Sequence, residues 1–206
     1  MRDFMSMIRN AFILFFITLV AGASLGVVYQ VTKDPIAYQE TLAQNKANQA
    51  VFADAGAFNE LGKDPDAFKA VLEGKNGITI ESVKEATSLE GQLLGYVIQM
   101  KSRGYGDDIV FTVGIRHDGI KNGTINGISI ISISETPGLG MNAGKIIVPQ
   151  FVEKMALRFT VVKKGQITDS GSQIEAISGA TITSKAITDG VNVAVAYYDQ
   201  ALKGEQ

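Results

Sequence analysis

Two short loops hold most of the residues that could do chemistry in this chain. Residues 178–185 read SGATITSK and open the last helical stretch of the sequence. Small side chains there let a phosphate come close to the backbone, and the free N–H groups of a helix's first turn point towards it. Ser178, Thr181, Thr183 and Ser184 offer hydroxyls as caps or further donors, and Lys185 adds positive charge. An ordinary Ser/Thr-capped helix start has the same composition, so the residues alone leave both readings open. Residues 135–140, ETPGLG, make a stiff turn: Pro137 fixes one φ, and Gly138 and Gly140 remove side chains. A flat ligand could lie against such a surface, and so could nothing at all. The run Gly138-x-Gly140-x-x-x-Gly144-Lys145 has neither P-loop spacing nor the Ser or Thr that must follow the lysine, because Ile146 stands there. It also lacks the β-α-β context of a dinucleotide fingerprint.

Composition removes several other chemistries. The 206 residues contain no cysteine, which excludes disulfides, thiolate catalysis, iron–sulfur ligation and a lipoprotein anchor. The single histidine, His117, precedes Asp118-Gly119, a turn signal, and reads as a solvated residue at a hairpin tip. A Ser-His-Asp triad would need that one histidine, and no G-x-S-x-G elbow accompanies it. A net charge of −2 offers no basic stripe for nucleic acid. Any redox work must therefore be carried by a bound organic cofactor.

The elements that would position these loops follow from periodicity. With 46% hydrophobic and 19% charged residues, the chain can build a core. Residues 78–83, 94–101 and 109–115 alternate with period two, and turns at Asp118-Gly119 and Asn122-Gly123 link the third run to a fourth at 125–133. In that fourth run Ile128 and Ile130 share one face while Ile131 and Ile133 take the other, a slip that predicts a bulge. A helix is expected around 148–157, then a strand at 158–162. The last helix carries Ile187, Val191, Ala194 and Tyr198 as a buried stripe. Hairpin links without β-α-β alternation predict an α+β domain with an antiparallel sheet and flanking helices, spanning 78–206.

The N-terminal part differs. A stub, 1–10, carries Arg2 and Arg9, and an uncharged run over 11–32 is close to the ~20 residues that cross a bilayer core as a helix. Lys33-Asp34-Pro35 is expected to end that helix. The positive-inside rule puts the stub in the cytoplasm and the rest on the outer side of the cytoplasmic membrane, as a single-pass anchor. The rival is a cleaved signal peptide with Ala21-Gly22-Ala23 as its cleavage site, but apolar residues continue past it through Leu25, Val27, Val28 and Tyr29. Thr18, Gly22 and Gly26 form a small-residue stripe. Residues 33–77 read as a helical connector, with one weakly amphipathic helix over 35–55 and a short one after Asp64-Pro65.

SGAT at 178–181 resembles the [S/T]-G-A-T signature of the FMN-binding domain family, and ETPGLG is similar to that family's second hallmark. With Gly104-Tyr105-Gly106 and the N-terminal anchor, nearly the whole chain resembles the G subunits of Rnf ion-translocating electron-transport complexes. The resemblance implies FMN joined by a phosphoester to Thr181, the last residue of the Ser178-Gly179-Ala180-Thr181 tetrad, with Thr183 and the helix start cradling the phosphodiester. It implies that Glu135, Thr136, Gly138, Leu139 and Gly140 line the isoalloxazine, with Tyr105 packed nearby. Implied partners are the other membrane subunits of the complex and a flavin transferase that uses FAD as donor. In one departure, Ser132-Ile133-Ser134 stands where many G subunits carry a histidine. The C subunit of the sodium-pumping NADH:quinone oxidoreductase shares both loops. A free-standing extracytoplasmic FMN carrier and a flavin-free membrane adaptor are the other readings.

Overall fold

The computed structural model describes residues 2–62 and 65–204, with the side chains of 4–62 and 68–204. It divides into two compact units, Met1–Ala43 and Gln44–Gln206.

The first unit is made by helix α1, Arg2–Val51, whose last two turns belong to the second unit. Among the described residues this is the one helix long and apolar enough to cross a membrane. The serine and threonine hydroxyls of residues 11–32 are satisfied by their own helix: Thr18 donates to the Leu14 and Phe15 carbonyls, Ser24 to Val20 and Thr32 to Val28. These three side chains therefore need no water, as a hydrocarbon environment would demand. The expected break at Lys33-Asp34-Pro35 does not occur, since α1 runs through Pro35. The proline removes one hydrogen bond, to the carbonyl of the exposed Val31, and ordinary helix formers on either side carry the helix on.

The second unit is built on a five-stranded antiparallel meander in the order β1-β2-β3-β4-β5. Its strands are β1, Ala57–Leu61; β2, Ile78–Thr87; β3, Leu93–Arg103; β4, Asp108–Arg116; and β5, Ile125–Ser132. Strand β1 lies between the two helices expected within the 33–77 connector, where no strand was expected: Phe58 and Leu61 are half-buried, and the segment pairs with β2 from Ala57↔Thr87 to Leu61↔Val83. Helix α2, Pro65–Leu72, lies where the proline signal put a helix, although Asp64 falls outside the described residues. The slip predicted in β5 is a bulge at Ile131, because Phe111 pairs with Ile130 and Val110 with Ser132.

The core lies between one face of the sheet and helix α4, Thr181–Tyr197. Tyr96, Ile98 and Met100 of β3 and Phe111, Val113 and Ile115 of β4 meet Ile187, Val191, Ala194 and Tyr198 there, all buried. The opposite face receives the end of α1 through Val51, Phe52 and Ala55, which pack on Ala86 and Val97. Burial on both faces gives β3 consecutive buried residues from Gly95 to Met100 instead of a strict alternation.

Two expectations fail here. Residues 148–157 form no α-helix: only a single 3-10 turn, Val148–Gln150, occurs there and includes Pro149, Glu153 adopts φ 63°, and the chain runs beside β5, with Ile125 N–H donating to the Lys154 carbonyl at 2.8 Å. His117 is not a solvated tip. It is buried, with Nδ1 2.8 Å from the Tyr198 hydroxyl and its ring 5.5 Å from that of Tyr96. The inward set Phe111, Val113, Ile115 continues to His117, and the turn proper begins at Asp118. Asp118 accepts the N–H groups of Ile120 at 3.0 Å and Lys121 at 2.8 Å. After the short helix α3, Ala143–Ile146, strands β6, Thr160–Val162, and β7, Gln173–Glu175, add a small parallel pair outside the antiparallel sheet.

Candidate functional site

The start of α4 lies beside the loop that follows β5 and the turn between β3 and β4. Together they enclose a cavity of about 520 Å³, lined by Tyr105, Glu135, Thr136, Leu139, Gly140, Gly179, Ala180, Thr181, Ile182 and Thr183. That volume is in the range of ordinary small-molecule sites, ~300–1,000 Å³.

Each loop is shaped by a turn with glycine at its third position. In Thr136-Pro137-Gly138-Leu139, Leu139 N–H donates to the Thr136 carbonyl at 3.1 Å and Gly138 adopts φ +79°. In Ile177-Ser178-Gly179-Ala180, Ala180 N–H donates to the Ile177 carbonyl at 3.0 Å and Gly179 adopts φ +77°. Positive φ at this position calls for glycine after a proline or serine corner. The two turns meet: a β-carbon on Gly179 would stand 3.3 Å from Leu139 Cδ2.

Helix α4 begins without a side-chain cap. Its N-cap residue is Ala180, which makes no side-chain cap hydrogen bond, and alanine is among the weakest caps. Two of the four hydroxyls expected to cap it, those of Thr183 and Ser184, are engaged elsewhere. Buried Ser184 Oγ donates to the Ala180 carbonyl at 2.9 Å and accepts Ile177 N–H at 3.0 Å. Buried Thr183 Oγ1 donates to Glu135 Oε2 at 3.1 Å. The first-turn N–H groups, which have no intrahelical acceptors, therefore stand at the cavity with the helix dipole behind them. Thr181, the first helical residue, is exposed in the same cavity, and Lys185 stands four residues on, on its face of the helix.

Of the residues implied as the site, Ser178 and Gly138 are exposed turn residues that do not line the cavity. Their role is to set the two turns. Thr183 is in the wall, with its hydroxyl committed to Glu135. Ile182, 54% exposed, lines the cavity and was not anticipated. Its place directly after the SGAT tetrad was the available signal.

Residues 104–196 match the FMN-binding domain family, and residues 1–51 match the RnfG N-terminal region. Along 98% of its length, and 96% of the relative's, the chain is 32% identical to the G subunit of the Na(+)-translocating ferredoxin:NAD(+) oxidoreductase complex of Acetobacterium woodii. The chain belongs to the G-subunit family of these complexes. To the G subunit of the proton-translocating ferredoxin:NAD(+) oxidoreductase complex of Clostridium ljungdahlii it is 34% identical over 85% of this chain and 83% of that one. The solved C subunit of the Na(+)-translocating NADH-quinone reductase from Parabacteroides distasonis shares the fold, with TM-score 0.53 and 21% identity over 74% of this chain and 80% of that one.

FMN has two parts that a cavity must satisfy, and the residues here fit both. A phosphate needs donors, which the uncapped start of α4 supplies. A flat ring needs apolar and thin walls, supplied by Leu139, Ile182, Tyr105 and Gly140. Thr181 adds an exposed hydroxyl to the same lining.

Proposed function

We propose that the chain is the electron-carrying subunit of a membrane ion-translocating ferredoxin:NAD oxidoreductase complex, with FMN joined through its phosphate to Thr181 Oγ1. The observation that carries this reading is the contrast between two neighbouring threonines. Thr181 is exposed at the mouth of an uncapped helix, whereas Thr183 is buried and bonded to Glu135. Attachment requires a hydroxyl that a transferase can reach. The FMN part of FAD passes to Thr181, a phosphorus–oxygen bond to Oγ1 replaces the pyrophosphate link, AMP leaves, and the hydroxyl proton goes to solvent. The first-turn N–H groups of α4 hold the phosphodiester, Tyr105, Leu139 and Ile182 bound the ring, and the Ser178 and Gly138 turns keep both walls in place. Bound FMN supplies the electron chemistry, and the protein supplies position and electrostatics.

Residues 11–32 then form the membrane span. The stub with Arg9 lies in the cytoplasm and the flavin domain on the outer side of the cytoplasmic membrane. Affinity purification from native membranes tests the assignment. The expected result is recovery of further membrane subunits, in an assembly that reduces NAD with reduced ferredoxin. Recovery of the chain alone with its flavin would refute membership of the complex.

A further inference from the structure

Glu135 is 8% exposed, and its carboxylate joins two segments far apart in sequence. Oε1 accepts the N–H groups of Tyr105 at 2.7 Å and Gly106 at 3.3 Å, and Oε2 accepts the Thr183 hydroxyl at 3.1 Å. The packing around it is closed. A β-carbon on Gly104 would run into Oε1, and one on Gly140 would stand 2.8 Å from Glu135 Cβ and 3.0 Å from Oε2. Among the described residues no lysine or arginine forms an ion pair with this side chain. A buried charge answered by dipoles alone carries a desolvation cost that apolar packing would avoid.

We propose that Glu135 is the positioning residue of the flavin site: one carboxylate ties the Tyr105 turn to the first turn of α4 and holds negative charge against the cavity. The proposal rests on the reading that this cavity holds FMN. The tie fixes both walls at once, because Tyr105 borders the cavity mouth and Thr183 follows the attachment residue by two positions. The charge disfavours added electrons on the bound ring and lowers its reduction potential. The chemistry separates these effects. Glutamine keeps an acceptor for the two N–H groups, and its amide can donate to the Thr183 hydroxyl, which accepts as readily as it donates. Glu135→Gln therefore keeps the tie and removes the charge, while Glu135→Ala removes both.

The test uses the full chain in detergent, made in hosts with and without a flavin transferase. Intact mass reports FMN loading, redox titration the midpoint potential, and limited proteolysis of the flavin-free chain the order of the 104–107 turn. Glu135→Gln is expected to carry FMN with a more positive potential and to resist protease like wild type. Thr183→Val should carry FMN with altered flavin absorption, and Thr183→Ser should restore the wild-type spectrum. Flavin-free Glu135→Ala should be cleaved within 104–107 faster than wild type. A fully loaded Glu135→Gln chain with wild-type potential would overturn the electrostatic role, and Glu135→Ala as protease-resistant as wild type would overturn the tie. If the wild-type chain carried no FMN the functional reading would fall, and the proteolysis comparison would still decide the tie.

Discussion

Replacing Gly140 by alanine should damage the site far more than the same change at Gly138, two residues away in the same loop. At Gly140 the new β-carbon would lie 2.8 Å from both Glu135 Cβ and Thr183 Oγ1. The first contact is fixed close to the backbone, and the second belongs to a buried hydroxyl that cannot swing into solvent. Overpacking of this kind costs about 1–3 kcal/mol. Prising Thr183 from Glu135 costs about 1.5–3 kcal/mol, as for hydrogen bonds to charged groups. Both act on the same atoms, so they do not sum. A loss near 3 kcal/mol lowers Tm by about 6–12 °C in a chain of this size. At Gly138 a β-carbon would meet nothing within 4 Å, and the cost is the φ of +79°, about 1–2 kcal/mol for an L-residue. Thermal unfolding of the full chain in detergent, with the flavin absorption spectrum, measures both. Gly140→Ala should shift the spectrum and Gly138→Ala should not. A Gly140→Ala protein as stable as wild type, or a larger spectral shift at Gly138, would refute the close-approach argument.

Other outcomes follow from the same contacts. Tyr198→Phe leaves the buried His117 Nδ1 without its 2.8 Å partner, and stability should fall by about 1–3 kcal/mol in thermal unfolding. The Lys121 backbone N–H, helped by Ile120 N–H and by Arg116, holds the Asp118 carboxyl below the ordinary aspartate value of 3.8. The native state thus binds fewer protons than the unfolded chain, so this contribution is present above pH 3.8 and is lost as pH falls through the lower folded value. Asp118→Asn should be less stable than wild type at neutral pH, and the difference should shrink in acid unfolding curves. A C-terminal fusion should be active with a reporter that works outside the cytoplasmic membrane; activity with a cytoplasm-dependent reporter would reverse the proposed topology.

The antiparallel meander was legible because period-two runs and Asp-Gly and Asn-Gly turns act locally, and even the bulge at Ile131 could be read from a shift of face. Strand β1 was not legible, since it is a half-buried edge whose pairing with β2 is set by tertiary contact. Pro35 misled because proline's penalty is local, whereas helix continuity is cooperative over many residues. His117 is ambiguous in sequence for a related reason: the local turn signal Asp118-Gly119 competes with the inward parity running through Ile115. At the site, the two loops could be found from composition, but not the division of labour within them. That Gly138 and Ser178 shape turns, that Thr183 faces Glu135, and that Glu135 reaches the Tyr105 turn all depend on three segments meeting in space.

The most direct test of the central claim is intact-mass spectrometry with peptide mapping of the denatured chain from a host that contains the transferase. The wild-type chain should be heavier by one FMN less water, with the flavin on the peptide bearing Thr181. Thr181→Ala should lose the added mass while Thr183→Val keeps it. Flavin mapped to Thr183, or flavin that separates from the wild-type chain on denaturation, would contradict the account.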